Sequence, residues 1–293
     1  MKRNVTIAVI ANLIFGIMPV YWKFLAGVSN MYVLGHRMVW SIVFTIGFAA
    51  IEHKLGLLKA AFRNKRALLI SFLSGITIVG NWYLYTWAVN SDMVADTSLA
   101  YYISPLIVFL FGITIFRESF TKWDIAAVCF ALAGIVMYTV SMGAFPWVAV
   151  GLAVTFSLNG ALKKLAGLDS AVALTVEMTL LLPVSIIYLA VSSFGPSGHL
   201  NGIQWWEVLL LIGTGFASSF PLWLYGKGIN DLPLTLVGIL QYIWPTTSLL
   251  MSIFVFREEV SFVKLGCFAL IWIGLLIFTI GKTRKDTRQL KLR

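Results

Sequence analysis

Tyr101-Tyr102-Ile103-Ser104-Pro105 and Gln241-Tyr242-Ile243-Trp244-Pro245 stand 140 residues apart, and the same displacement lays the chain on itself without a gap. Tyr83-Leu84-Tyr85 falls on Trp223-Leu224-Tyr225, Asn90 on Asn230, and Phe116-Arg117-Glu118 on Phe256-Arg257-Glu258. Gly134 and Thr139 meet Gly274 and Thr279, while Lys23, Leu25, Ala26 and Gly27 meet Lys163, Leu165, Ala166 and Gly167. The chain is a duplication, and a duplicated apolar chain points to a membrane protein with its site between two repeats.

Composition sets the solvent. Of the 293 residues, 59% are hydrophobic and 12% charged; soluble domains carry about 25% charged residues. A soluble fold of this length cannot bury that much apolar surface, so the solvent is lipid. Apolar runs predict spans near 5–25, 32–51, 67–90, 97–116 and 123–140, then 146–163, 170–193, 205–228, 232–256 and 263–281. The fifth and sixth runs are fused in hydropathy, and Gly143 and Pro146 supply the break between them. The expected class is therefore an all-α integral membrane protein of ten transmembrane helices. It divides into a first five-helix repeat (1–142), a second (143–282) and a basic tail (283–293). The first run lacks a small-residue cleavage site and is expected to remain as a helix.

The net charge of +10 is explained by where the cations stand, without nucleic acid as a partner. On the face carrying the N-terminus fall 18 of the 22 Lys and Arg residues, all but Lys23, Arg37, Arg257 and Lys264. The positive-inside rule places both termini in the cytoplasm of a bacterial cell membrane. Five helices per repeat is an odd number, so the repeats are expected to be inverted, related by a pseudo-two-fold axis in the membrane plane. Residues 52–66 mix Lys and Arg with Leu55, Leu57, Leu58 and Phe62, as a short helix on anionic lipid headgroups would. Trp205-Trp206 reads as an interfacial anchor. Cys129 and Cys267 lie in apolar runs and indicate neither a disulfide nor a metal site.

Ionisable groups inside the bilayer are the first functional candidates, because each costs a few kcal/mol unless paired or hydrated. The shift maps Arg37 onto Glu177. Near the axis the two would form one central ion pair with a structural or gating role; direct solute or proton contact, and separate solvation, are the other readings. His36 beside Arg37 is either a hydrogen-bonded helix-end histidine or a proton carrier. Lys23 and Lys163 either snorkel to headgroups or stand at the mouths of a central cavity. Pro19 frees the Phe15 carbonyl in a helix that also carries Asn12.

The proline pair Pro105 and Pro245 marks where discontinuous helices would line a midplane site. Gln241, Pro245 and Ser248 share one helical face, and Ser98, Tyr101 and Pro105 share the corresponding one. Such stripes face either a cavity or a neighbouring helix. Trp82, Trp87, Tyr102, Tyr242 and Trp244 would wall a pocket for an amphipathic or aromatic solute, or pack toward lipid; Asn159 is a further polar candidate. Neither a nucleotide-binding loop nor Cys/His metal spacing nor a hydrolase motif is present, so no cofactor, metal or catalytic residue is expected and the chain reads as a non-enzyme.

With these residues in view, the chain resembles the EamA-type branch of the drug/metabolite transporter superfamily, and within it the RarD group. The resemblance rests on IFGIMPVYWK (14–23), GHRMVWS (35–41), NWYLYTWAVN (81–90), SLAYYISPL (98–106), EMTLLLP (177–183) and GILQYIWPT (238–246). It departs at Asn159, where RarD-like chains usually carry Tyr. The resemblance implies ten helices in an inverted five-plus-five arrangement. It further implies a central cavity from helices 1–4 and 6–9 and peripheral fifth and tenth helices. The expected function is a secondary permease exporting or exchanging a small organic solute by alternating access; a membrane-embedded enzyme or sensor, or a passive channel, is the alternative reading.

Overall fold

The computed structural model describes residues 2–117, 122–193, 202–229, 232 and 240–290. These form helices α1 (Lys2–Lys23), α2 (Asn30–Ile51), α3 (Leu55–Arg63), α4 (Lys65–Asn90), α5 (Val94–Thr114) and α6 (Lys122–Met142). The second half supplies α7 (Trp147–Ala166), α8 (Ser170–Ser193), α9 (Trp205–Ile229), α10 (Ile243–Phe254) and α11 (Phe262–Leu290). Helix is the form an apolar segment takes in lipid, since it satisfies every backbone group within itself. Among the described residues, seven helices are long and apolar enough to span a bilayer, and α6, α10 and α11 carry the shorter apolar stretches Ile125–Val140, Ile243–Phe254 and Leu265–Gly274.

Local signals set the ends. Asn64 caps α4 by accepting the Ala67 N–H at 3.1 Å. Gly167, with φ +66°, closes α7 in the left-handed conformation and donates its N–H to the Lys163 carbonyl. Two departures from the sequence reading follow from the same rules. The last helix outruns its expected end at 281: α11 continues to Leu290, because no Gly or Pro follows Gly281 and cations suit a helix C-terminus. Nor is the helix broken at Pro105, since α5 runs through it without interruption. Pro245 sits in the first turn of α10, where a missing N–H costs nothing; the preceding residues 233–239 lie outside the described ones.

The helices sort by packing. α9 lies along α1 and α2, and α10 along α1; α7 lies along α4 and α5, and α8 along α4. Two groups result, α1–α2–α9–α10 and α4–α5–α7–α8, meeting where α2 crosses α8 and α5 crosses α10. Each group takes helices from both halves of the sequence. α6 and α11 pack on each other and touch the rest lightly. Helix α3 is anchored by Ala61 and Leu58 against Val172 and Val176 of α8, leaving Leu55, Leu57 and Phe62 exposed.

Small residues make these contacts possible. A Cβ on Gly215 would collide with the backbone of Trp40 and Ser41, and one on Gly75 would press on Leu181 and Glu177. Gly274 and Gly134 set the α6–α11 spacing in the same way, against Ala127 and Cys267. Cys267 is buried at that contact, whereas Cys129 lies exposed on α6. Gly215→Ala should therefore cost about 1–3 kcal/mol through overpacking and lower the melting temperature measured by size-exclusion in detergent. Gly80→Ala, with nothing near its Cβ, should be neutral or stabilising, because alanine favours helix.

Candidate functional site

Between the two helix groups lies a cavity of about 360 Å³. Its rim is formed by Glu52, Lys54, Asp169 and Lys227, on the face that carries the N-terminus. Its deep end is lined by Trp22, Arg37, Trp82 and Tyr85. The opposite face is closed by bridges between the groups. Lys23 pairs with Asp92 at 2.6 Å, Asn90 donates to Asn30 at 2.7 Å, and the Glu258 carboxylate accepts the Val94 and Ala95 N–H groups at 2.6 and 2.8 Å. That carboxylate caps the N-terminus of α5, where the helix dipole favours negative charge.

Among the described residues, Arg37 is the one charge held deep inside the cavity wall, 6% exposed. Its guanidinium lies between two indole rings, with Cζ 4.3 Å from the centroid of Trp22 and 4.1 Å from that of Trp82. Its Nε donates to Ser218 Oγ at 2.6 Å, and that hydroxyl in turn donates a hydrogen bond to the Thr214 carbonyl. Below it, aromatic faces converge. Trp244 stacks on Phe15 at 4.6 Å, lies 3.8 Å from Tyr101, and meets Phe156 edge-on at 5.8 Å.

The expected Arg37–Glu177 pair is not formed. α2 and α8 do cross, but each charge turns away from that crossing, Arg37 to α9 and Glu177 to α4 and α7. Glu177, fully buried, accepts from Ser74 Oγ at 2.6 Å and Asn159 Nδ2 at 3.4 Å, and pairs with Lys163 Nζ at 3.3 Å. Lys163 and Asn159 line the cavity; Glu177 stands behind them. Serving two separate polar sites leaves neither charge free for the other.

Of the other sequence candidates, Trp82, Tyr101 and Trp244 line the cavity. Tyr102 and Tyr242 do not: their rings stack at 6.4 Å where α5 crosses α10, and the Tyr102 hydroxyl bonds Thr246 at 2.6 Å. Gln241 is exposed and reaches the cavity only through Tyr225, whose hydroxyl it holds at 2.6 Å. Trp87 packs on Trp147, Ser98 bonds back to Val94, and Pro245 is buried in helix packing. His36 accepts from Trp40 on its own helix and lies outside the cavity, as does Lys23, on the closed face. The Pro105 side chain lies outside the described residues.

Sequence reasoning missed Trp22, Phe15, Tyr85, Ser218 and the whole rim. The rim residues stand in loops and at helix ends, where charge is ordinary. Only their spacing in three dimensions joins Lys54 to Glu52 at 2.7 Å and to Asp169 at 2.9 Å. The Trp223 indole donates to Glu52 at 2.8 Å, and Lys227 lies 3.6 Å from it. Hydrogen bonds to Glu52 and then Asp169 push the Lys54 ammonium above the usual lysine range. That contribution is complete below the ordinary lysine pKa and is lost only as pH rises past it.

Two stretches, 3–140 and 145–280, match the EamA-like transporter family. The chain belongs to that family. It is 37% identical over 287 residues to the uncharacterized transporter YojE of Bacillus subtilis, covering 97% of this chain and 95% of that one. It is 30% identical over 290 residues to the protein RarD of Escherichia coli, covering 99% and 98%. A relative at 26% over 279 residues, covering 94% and 93%, is the chloramphenicol-sensitive protein RarD of Pseudomonas aeruginosa. A crystal structure at 19% identity superposes with a TM-score of 0.63 over 95% of this chain and 98% of that one, a likeness of fold. The chain is thus a multi-pass membrane transporter of the RarD group, in a family named for transport rather than catalysis.

Lys163→Met should destabilise the protein by about 3 kcal/mol, near the lower end for a broken buried pair because Lys163 keeps partial exposure. Lys163→Met combined with Glu177→Gln should recover much of that loss in a thermal melt, since no unpaired carboxylate is left.

Proposed function

We propose that this transporter is a ten-span secondary permease of the bacterial cytoplasmic membrane, built from two inverted five-helix repeats with both termini cytoplasmic. It exports or exchanges a small organic solute by alternating access, and the cavity described above belongs to its inward-open state. The observation that carries the reading is a cavity lined by charged residues at one end and backed at the other by bridges between two helix groups that the 140-residue shift interchanges. Under that shift α1, α2, α9 and α10 become α7, α8, α4 and α5, so the two groups are equivalent partners for a rocking motion. Tyr102 stacked on its own counterpart Tyr242 supports an axis passing between α5 and α10. Arg117 and Arg257 supports the same relation, with φ of 53° and 54° at matching helix ends. Clustering of lysine and arginine on the open face supports its cytoplasmic assignment. The moving bodies in this reading are the mixed groups rather than the two sequence halves.

A cysteine at Ala217, which lines the cavity, tests the motion without knowledge of the solute. With Cys129 and Cys267 replaced by serine, Ala217→Cys should react with a membrane-impermeant methanethiosulfonate from the cytoplasmic face of inverted vesicles. Adding Glu258→Gln, which weakens the closed face, should speed labelling from outside and slow it from inside. Faster labelling from outside with no loss inside would indicate a channel, and no labelling from outside would contradict alternating access. An untargeted metabolite comparison of cells lacking and overproducing the protein then narrows the solute.

A further inference from the structure

Four buried polar atoms on the cavity's lining residues have no hydrogen-bond partner in the structure: Arg37 Nη1, Tyr85 Oη, Ser219 Oγ and Trp244 Nε1. Buried polar groups are paired in the great majority of cases; of the ten exceptions among the described residues, these four belong to side chains that line one cavity. Two of the four are donors only, and the other two can donate. One of the donors carries a full positive charge. What is missing is an acceptor.

The surroundings of Arg37 narrow it further. Both guanidinium faces are covered by Trp22 and Trp82, and Nε is committed to Ser218. Only the in-plane edge of the fork remains, the edge that meets a carboxylate or similar oxyanion with parallel hydrogen bonds. Arg37 has no carboxylate in ion-pair reach among the described residues, since Glu177 is engaged by Ser74, Asn159 and Lys163. At the rim, Lys54 and Lys227 are matched by Glu52 and Asp169. The uncompensated charge of the cavity is therefore the one at its deep end.

We propose that the transported solute is an organic anion, with an oxyanion group held by Arg37 and a flat apolar body lying against Tyr101, Phe156 and Trp244. This rests on the transport reading above and names its solute class. Aromatic rings at 3.8 to 5.8 Å from one another offer stacking faces for a planar body. A cationic solute is repelled by Arg37, and a neutral isostere leaves its charge unanswered; a site built around such a group rejects the analogue that cannot pair with it.

The test uses matched acid, amide and amine forms of three bodies: indole-3-acetic acid, 2-naphthylacetic acid and phenylacetic acid with their counterparts. Each is titrated by calorimetry into the full-length protein in detergent. At least one acid should bind saturably, its amide at least tenfold more weakly and its amine not measurably. Arg37→Gln should weaken the acid at least tenfold and leave the amide within about threefold. Trp244→Phe keeps an aromatic ring but removes the indole N–H, and should weaken the acid several-fold, so the proposal stays testable should Arg37→Gln fail to fold. Equal binding of acid and amide, tightest binding of an amine, or binding of none of the three acids would overturn it. Reciprocal labelling at Ala217→Cys needs no solute. If labelling remains reciprocal while the acids fail, only the anion assignment falls; if labelling fails as well, the transport reading falls with it.

Discussion

A guanidinium that cannot lose its charge sits inside an apolar bundle, and the rest of the site is arranged around that fact. A charge at bilayer depth costs a few kcal/mol even on lenient scales. Two cation–π contacts, at roughly 0.5–2 kcal/mol each, and one charge-assisted hydrogen bond to Ser218 offset part of that cost. They do so without neutralising the charge. A counter-ion would have removed the cavity's electrostatic character. The aromatic sandwich instead fixes the orientation of Arg37 and leaves its field directed at whatever occupies the space below.

Holding Arg37 in place requires α2 and α9 to approach closely, and Gly215 permits it by leaving no side chain against Trp40 and Ser41. Gly75 performs the corresponding service between α4 and α8, where Glu177 is held. The same backbone device thus serves a cation in one place and an anion in the other. Glu177 has an ionic partner in Lys163 besides its bonds to Ser74 and Asn159, while Arg37 has no carboxylate partner among the described residues. Duplication supplied two equivalent positions, and substitution gave them different work.

Much of the fold was legible because lipid imposes simple rules. Apolar runs gave helix limits within a few residues of α1, α2, α4, α7, α8 and α9, and the repeat was visible as an uninterrupted register. The site was harder, for a definite reason. A shift relates positions that are equivalent in sequence, and equivalence does not mean contact. Tyr102 and Tyr242 are equivalent and do touch, because α5 crosses α10 there. Arg37 and Glu177 are equivalent on crossing helices, yet their side chains leave in different directions. Helical stripes likewise identified polar faces without saying which served packing, so Ser98 proved to bond within its own helix and Tyr102 to join α5 to α10, while Tyr101 and Trp244 line the cavity. The rim was illegible because Glu52, Lys54 and Asp169 are unremarkable charges in loops until the fold brings them together.

Distances in the membrane test the central claim, that one cavity is exposed in turn to two faces. Spin labels at Leu165 and Lys227 would report the separation of the two helix groups at the open face, and labels at Lys23 and Asp92 would report it at the closed face. Pulsed electron–electron resonance on the protein in proteoliposomes should give two populations for each pair. Conditions that lengthen one distance should shorten the other. A single unchanging distance at both faces, or two that lengthen together, would contradict the account.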